Sequence, residues 1–287
     1  MAESMGYASR MTTGGNAVEF ISHDIKEVRE IVADDGIRGV RSRAYERIAQ
    51  GLIQVAGSIN LQPTPLEMSY ILPLVTGSST SATVLTDALA DVTVVCSNAT
   101  SSQTFVGRIS AMHISGSSGK KIDVKLDFVG KTCTMGSGGV LSGTPDITVR
   151  PYMFYDAGSG LTVGGSAYAI DKFELTIDNK IEPTYMVGQT ATDLEPTDRI
   201  VTLSVETKYT STEAGLLTTQ QTGPTIGSAI TGSLALTNGS NSMTFTFASL
   251  QAITNTVVVP NKKHLRLPLN YQAYKVGSTL EVVPVLV

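Results

Sequence analysis

At 287 residues the chain has room for one large domain or two ordinary ones and can bury a sizeable core. Its net charge of −4 is spread evenly, with 7 Lys/Arg against 8 Asp/Glu in residues 1–50 and 14 against 17 in the rest, which argues against a basic face that grips nucleic acid. Charged residues make up only 16%, tryptophan is absent, and Gly, Ser, Thr and Val recur in short apolar-polar alternations, so the composition reads as β-rich rather than helical or disordered.

Residues 1–15 are small, polar and Gly-rich and read as a disordered tip. No basic region followed by an apolar run opens the sequence, and no stretch approaches the ~20 apolar residues of a bilayer span, so the expectation is a soluble protein made in a cytoplasm. Val18 to Gln50 carries most of the alternating-sign charge, interrupted at Gly36 and Gly39. That segment reads either as a solvated face or as an extended arm to a neighbouring subunit, because it has little apolar surface with which to pack on its own body. The expected organisation is a tip and charged arm over residues 1–50 and a β domain over 51–287.

Period-two alternation begins at "GLIQVAGSINLQP". Thr64-Pro65-Leu66-Glu67 then gives a helix start: Thr64 caps, Pro65 suits the first position, and Glu67 sits where a capping box needs an acid. Leu66, Tyr70 and Leu74 are expected to face a sheet, with Pro73 ending or kinking the helix. Beyond it, "DVTVVCS", "FVGRISAMHIS", "KIDVKLDFVG", "DITVRPYMFY", "KFELTIDNKIEP", "RIVTLSVETKY", "SLALT", "MTFTFAS", "NTVVVP", "HLRLPL" and "TLEVVPVLV" read as strands. Two hairpins are expected, Ser110–Ile114 with Ile122–Val129 and Leu234–Leu236 with Met243–Phe247. A second helix is expected over Ser211–Gln221, closed by Gly223-Pro224. "SAMHISGSSGKKIDVKLDFVGKT" and "DKFELTIDNK…DRIVTLSVETKYT" echo one another as strand, polar turn and strand of alternating charge and aliphatic residues.

Gly130-Lys131-Thr132 has the end of a phosphate-binding loop, but the glycine required five residues earlier is Lys125, in mid-strand. Gly130 is instead expected to mark the turn that ends a strand whose Ile122, Val124, Leu126 and Phe128 point inward. No G-x-S-x-G stands between a strand and a helix. His23, His113 and His264 have no acid at metal-ligand spacing and read as surface or edge residues. Asp34-Asp35 beside Gly36 suits a turn. Cys96 and Cys133, 37 positions apart with no CxxC, read as small buried hydrophobes. "RPYMFYD" has aromatics next to an arginine but reads as core packing plus an edge. No catalytic, cofactor or metal site is assigned, and the chain is expected not to be an enzyme.

The order "VAGSINLQPTPLEMSYILPLVTG", "FVGRISAMHISGSSGKKIDVKLDFVGKT", "RPYMFYDAGSGLTVGG" and "FELTIDNKIEPTYMVGQTATDLEPTDRIVTLSVETKYT", with a terminal strand, resembles the tail tube proteins of long-tailed bacteriophages over residues 37 to 287. Its most specific elements are Gly57–Pro63, Asp127 to Lys131, "LTIDN" and Pro196-Thr197-Asp198-Arg199. The resemblance implies a β-sandwich subunit with one or two short flanking helices. It also implies hexameric rings whose sheets join into an inner barrel, stacked into a tube around a tape-measure protein, through which the double-stranded genome leaves the virion. On that reading Glu174 and Asp178 are lumen-facing candidates, with Thr176 between them, and Glu206 a further one whose face Lys208 would share. Arg41, Arg43, Glu46 and Arg47 are candidates for inter-ring ion pairs, with an ordinary solvated loop as the alternative. A ring of a bacterial secretion system and a carbohydrate-binding adhesin sandwich stay open as rival assignments.

Overall fold

Strand after strand realises the two-residue alternation in the computed structural model, which describes residues 10–33, 45–77, 87–98, 100–138, 145, 147–158, 160–215, 230–254, 257 and 265–286. The first part comprises β1 (Arg10–Thr13), β2 (Asn16–Val18), β3 (Ser22–His23), β4 (Lys26–Ala33), β5 (Ile48–Leu61) and helix α1 (Pro65–Thr76). The centre holds β6 (Val92–Ser97), β7 (Ser101–Ser117), β8 (Asp123–Ser137), β9 (Leu161–Val163), β10 (Ser166–Tyr168), β11 (Lys172–Asp178), β12 (Ile181–Thr184), β13 (Asp193–Pro196) and β14 (Ile200–Lys208). The last part adds β15 (Gly232–Asn238), β16 (Asn241–Phe247), β17 (Ser249–Thr254), β18 (Arg266–Tyr274) and β19 (Val282–Leu286).

Among the described residues the strands form a twelve-stranded sheet, a five-stranded sheet in the order β10-β9-β15-β16-β19, and the separate β12–β13 pair. The large sheet is organised by β7, which pairs along one edge with β8. Its other edge pairs first with β6 and then with β11. From β11 the sheet continues through β14 and β18 to β17. From β8 it continues through β5 to β3 and β4. Arg10–Thr13, within the stretch read as a tip, is a strand on β6, and its Met11 is buried.

One apolar cluster joins the two sheets: Phe105, Leu126, Phe128, Leu175, Leu203 and Tyr271 from the large one meet Leu234, Leu236, Phe245 and Phe247 from the small one. At ~1.5–3 kcal/mol for each fully buried large side chain, this layer fixes register, since a slip of one residue would turn every strand's apolar set outward. The mainly-β sandwich expected from the sequence is therefore the fold. Gly57 shows how tightly its edge is built: a Cβ there would lie 2.4 Å from Ile25 Cα, so only glycine lets the chain between β3 and β4 cross β5.

Helix α1 carries the expected capping box, with Glu67 N donating to Thr64 Oγ1 at 3.3 Å and Thr64 N donating to Glu67 Oε2 at 2.9 Å. Pro73 does not end it. The helix runs to Thr76 and closes with Gly77 N on the Pro73 carbonyl, because Met68, Ile71, Leu72 and Val75 anchor both sides of the proline in the core. Those residues, not Leu66, Tyr70 and Leu74, form the buried stripe; Leu66 is 44% exposed. Residues 211–215 are helical, and the rest of the second expected helix lies outside the described residues, as does "NTVVVP" apart from Val257.

Two strand expectations are corrected. Of the expected strand Asp146 to Tyr155, Asp146 lies outside the described residues and 147–155 is not a strand; Met153 makes an isolated bridge to Lys121, and Phe154–Ala157 forms a 3-10 turn. Pro151 has no N–H for a ladder, and Asp156 closes the segment on itself by accepting both arms of the Arg150 fork at 2.7 Å and Met153 N at 2.7 Å. Gly130 does not end its strand either. β8 runs on to Ser137, and Val106 opposes Thr132 while Gly107 opposes Gly130, so Lys131 is the extra residue of a β-bulge. The β7–β8 and β15–β16 hairpins otherwise form in the expected places, the first much longer than expected. Both cysteines are free, but only Cys96 is buried; Cys133 is half-buried.

Candidate functional site

The face of the large sheet turned away from the core is polar and open, and it collects the acids singled out on β11 and β14. Phe173, Leu175 and Ile177 are buried while Glu174 is exposed and Thr176 and Asp178 are half-buried, as the alternation requires. Glu174 stands opposite Ser204 on one side and Ser115 on the other. Two adjoining depressions, of 390 and 550 Å³, share Ser115, Asp123 and Glu174.

Most charges on this face are neutralised in place. Glu206 takes Lys172 Nζ at 2.7 Å and Arg266 Nη1 at 2.8 Å, and Arg266 also reaches Asp171 at 2.6 Å. The Lys172 hydrogen bond holds the Glu206 carboxyl below its usual range, with Arg266 adding to the effect. Lys208 shares the exposed side of β14 with Glu206, as expected. Asp178 is bound by its own neighbour Lys180, at 2.7 Å through Nζ and 2.9 Å through the backbone N–H. Asp127 accepts Lys125 Nζ at 2.8 Å and touches His113 Nε2 at 3.0 Å, while His113 Nδ1 meets Thr176 Oγ1 at 3.0 Å. Of the surface or edge placement expected for His113, the surface one holds: it is a half-buried tie on the open face between β7, β8 and β11. Glu174 alone of the three candidate acids makes no ion pair among the described residues.

The Gly-Lys-Thr that resembles a phosphate loop does different work. The bulge at Lys131 lifts its ammonium onto Asp91 at 2.7 Å and Asp193 at 3.4 Å, and Arg108 Nε adds a second cation on Asp91 at 2.8 Å. Burial pushes the Asp91 carboxyl up, but Lys131 and Arg108 outweigh it and hold the group below the usual carboxylate range. Arg108 also donates to the Leu194 carbonyl, so the four charges pin β12–β13 to the sheet. Beneath them Leu89, Ile181, Ala191 and Leu194 pack with Val129 as a small separate core. No spacing in the sequence announces this cluster, since its members span more than a hundred residues and meet only through the bulge.

The charged arm is the β4–β5 hairpin. Its Val28, Ile31, Val32, Tyr45 and Ile48 are exposed. Arg41 and Arg43 lie outside the described residues, as does the side chain of Glu46; Arg47 is exposed at the end of the 3-10 turn Tyr45–Arg47. Asp34-Asp35 and His264 are also outside the described residues. Among the described residues no three His, Cys, Asp or Glu side chains are grouped to hold a metal ion, and no helix is long and apolar enough to cross a membrane.

The sequence matches the family described as phage tail tube protein over residues 4–273. The chain belongs to this family. Membership makes it a structural component of a phage tail that assembles into a tube with other tail proteins, and it extends the resemblance into the first residues of the chain. No curated protein matches the sequence. Among the described residues this tail tube protein presents an open polar face, sheet edges with no further strand on them, and exposed apolar side chains on the β4–β5 hairpin.

Proposed function

We propose that six copies of this chain close into a ring through their sheet edges, and that rings stack into the conduit by which the double-stranded genome enters the host cell. The supporting observation is the asymmetry of the large sheet, which has a full core on one face and a nearly charge-balanced polar surface on the other. Within the described residues it ends in β17, in β2, and in β3 and β4 beside β5. Edge joining removes ladders that otherwise template aggregation, and a polar wall on which Lys125, Lys172, Lys180 and Arg266 are already paired gives phosphates little to hold. In this reading the open face lines the lumen, with Glu174, Asp178 and Glu206 directed to it, and the tape-measure protein occupies the bore during assembly in the host cytoplasm. The arm bridges rings, Arg41, Arg43, Glu46 and Arg47 forming ion pairs across the junction. The protein acts as a building part and not as an enzyme. The family match favours a virion tail over a secretion-system ring or an adhesin.

Electron microscopy of the purified protein tests this reading. Rings or tubes are expected, with the open face inward; a chain that stays monomeric as its concentration rises rules it out. Reversing Arg41 and Arg43 to glutamate is expected to cut tube yield while leaving the monomer folded.

A further inference from the structure

The β12–β13 pair carries a tip that the described residues leave exposed. Met186 is 72% exposed and Val187 105% exposed, yet the loop that holds them is braced. Ile53 N donates to the Gln189 carbonyl at 2.8 Å, Gln189 Nε2 donates to the Gln50 carbonyl at 2.9 Å, and Tyr185 Oη reaches the Ile53 carbonyl at 3.4 Å. A rigidly mounted, fully exposed apolar pair is a contact held ready, because ordering it without a partner leaves apolar area in water.

A matching recess exists elsewhere on the chain. It has a volume of 430 Å³ and lies between the start of α1 and the small sheet, with Pro65, Leu66, Val149 and Leu286 as its apolar lining and Tyr152 in its wall. Tyr152 is 1% exposed, and its hydroxyl has no hydrogen-bond partner among the described residues.

The two features lie toward opposite ends of β5. The tip is bonded beside Gln50 and Ile53 near its start, whereas the recess opens at Pro65, beyond its last residue Leu61. Eight residues of strand separate Ile53 from Leu61, roughly 26 Å at ~3.3 Å per residue. A projection at one end and a hollow at the other, carried by every copy, give a head-to-tail contact that repeats without closing. We infer that the Met186–Val187 tip of one copy inserts into the recess beside Leu66 and Tyr152 of a second copy in the next ring. This contact rests on the stacking reading above and adds to it a defined pair of surfaces.

Charge exchange tests the pairing. Val187→Glu and Leu66→Lys should each raise the protein concentration needed for tubes about tenfold or more, and the chain carrying both should recover most of the loss, since every junction then pairs the two charges. Melting curves of dilute monomer identify any variant that fails to fold. If Leu66→Lys is one, Val187→Cys with Leu66→Cys should give an oxidised ladder of linked chains that neither single variant gives. Absence of tubes from the unsubstituted protein would overturn the stacking reading together with this contact. Normal tubes from Val187→Glu, no recovery in the double variant, or no ladder would overturn the contact alone.

Discussion

Lys172 on β11 and Glu206 on β14 stand directly opposite each other in register, and their charged atoms meet at 2.7 Å while Arg266 approaches the other Glu206 oxygen from β18 at 2.8 Å. Three strands are therefore tied by one carboxylate on an open face. Lys172 and Arg266 are themselves well exposed, at 61% and 44%, so water screens the network. Glu206→Gln is expected to cost only about 0.5–1 kcal/mol in urea unfolding. The sign with pH follows from the lowered carboxyl: the contribution is complete above the unfolded value near ~4.3 and fades as pH falls from there through the folded value. The wild type and the variant should thus converge in acid, and a constant gap between them would contradict the assignment.

Gly57 carries a second expectation. Its missing Cβ leaves room for Ile25 and Asp24, whose backbone atoms would lie between 2.4 and 2.8 Å from an added carbon. Backbone cannot yield as a flexible side chain can, so Gly57→Ala should separate the β3–β4 segment from β5 and cost ~1–3 kcal/mol or more. Hydrogen exchange should show early opening at Ser22 to Val28 while β7, β11 and β14 stay protected. Protection unchanged at those residues would show that the crossing tolerates a side chain.

Glu67 couples the N-terminal segment to α1. One of its oxygens accepts Glu19 N at 2.6 Å and the other Thr64 N at 2.9 Å, and the residue is 1% exposed. Burial raises its carboxyl above the usual range, and the backbone N–H groups offset this only in part. A raised carboxyl favours the fold below its unfolded value and loses that contribution as pH rises through the folded value. Glu67→Gln removes the charge but turns an N–H toward one of the two donors, so it should destabilise by about 1–2 kcal/mol. Its deficit should be larger at about pH 5 than at about pH 7, because only the wild type weakens over that interval. Thermal melts at the two pH values give the comparison.

How much of this was legible in the sequence depended on range. The α1 cap could be read at Thr64 and Glu67 because its four residues are neighbours in the chain. The inward set on β11 could be read because Phe173, Leu175 and Ile177 alternate with polar residues against a single core. Leu66 misled, since helix periodicity gives a stripe but not which of two offset stripes the sheet covers. Pro73 is a local cost that the burial of Ile71 and Val75 on either side of it offsets, and that burial is not visible in the chain around it. The Asp146 to Tyr155 stretch has strand composition, but Pro151 offers no N–H to a ladder and the Arg150–Asp156 pair closes the segment on itself. The Asp91–Arg108–Lys131–Asp193 cluster had no local signal at all. Its key residue looked like part of a nucleotide motif, and only the bulge opposite Val106 and Gly107 shows that its ammonium serves β12–β13.

Glu174 gives the sharpest test of which face lines the tube. It is exposed between Ser115 and Ser204, with no cation on it among the described residues, so Glu174→Lys should leave monomer stability within about 0.5 kcal/mol of wild type. Tubes should still assemble, since the residue contributes no edge and no apolar contact. If the open face is the lumen wall, each subunit then moves from one negative to one positive charge, and the six subunits of a ring act together on a phosphate backbone. Such tubes should retain short duplex DNA at low salt and release it steeply as salt rises, whereas wild-type tubes should not retain it. Cryo-electron microscopy should place the added density inside the bore. Assembled Glu174→Lys tubes that ignore DNA, or that carry it on their outer surface, would turn the sheet around and assign the lumen to the other side of the subunit.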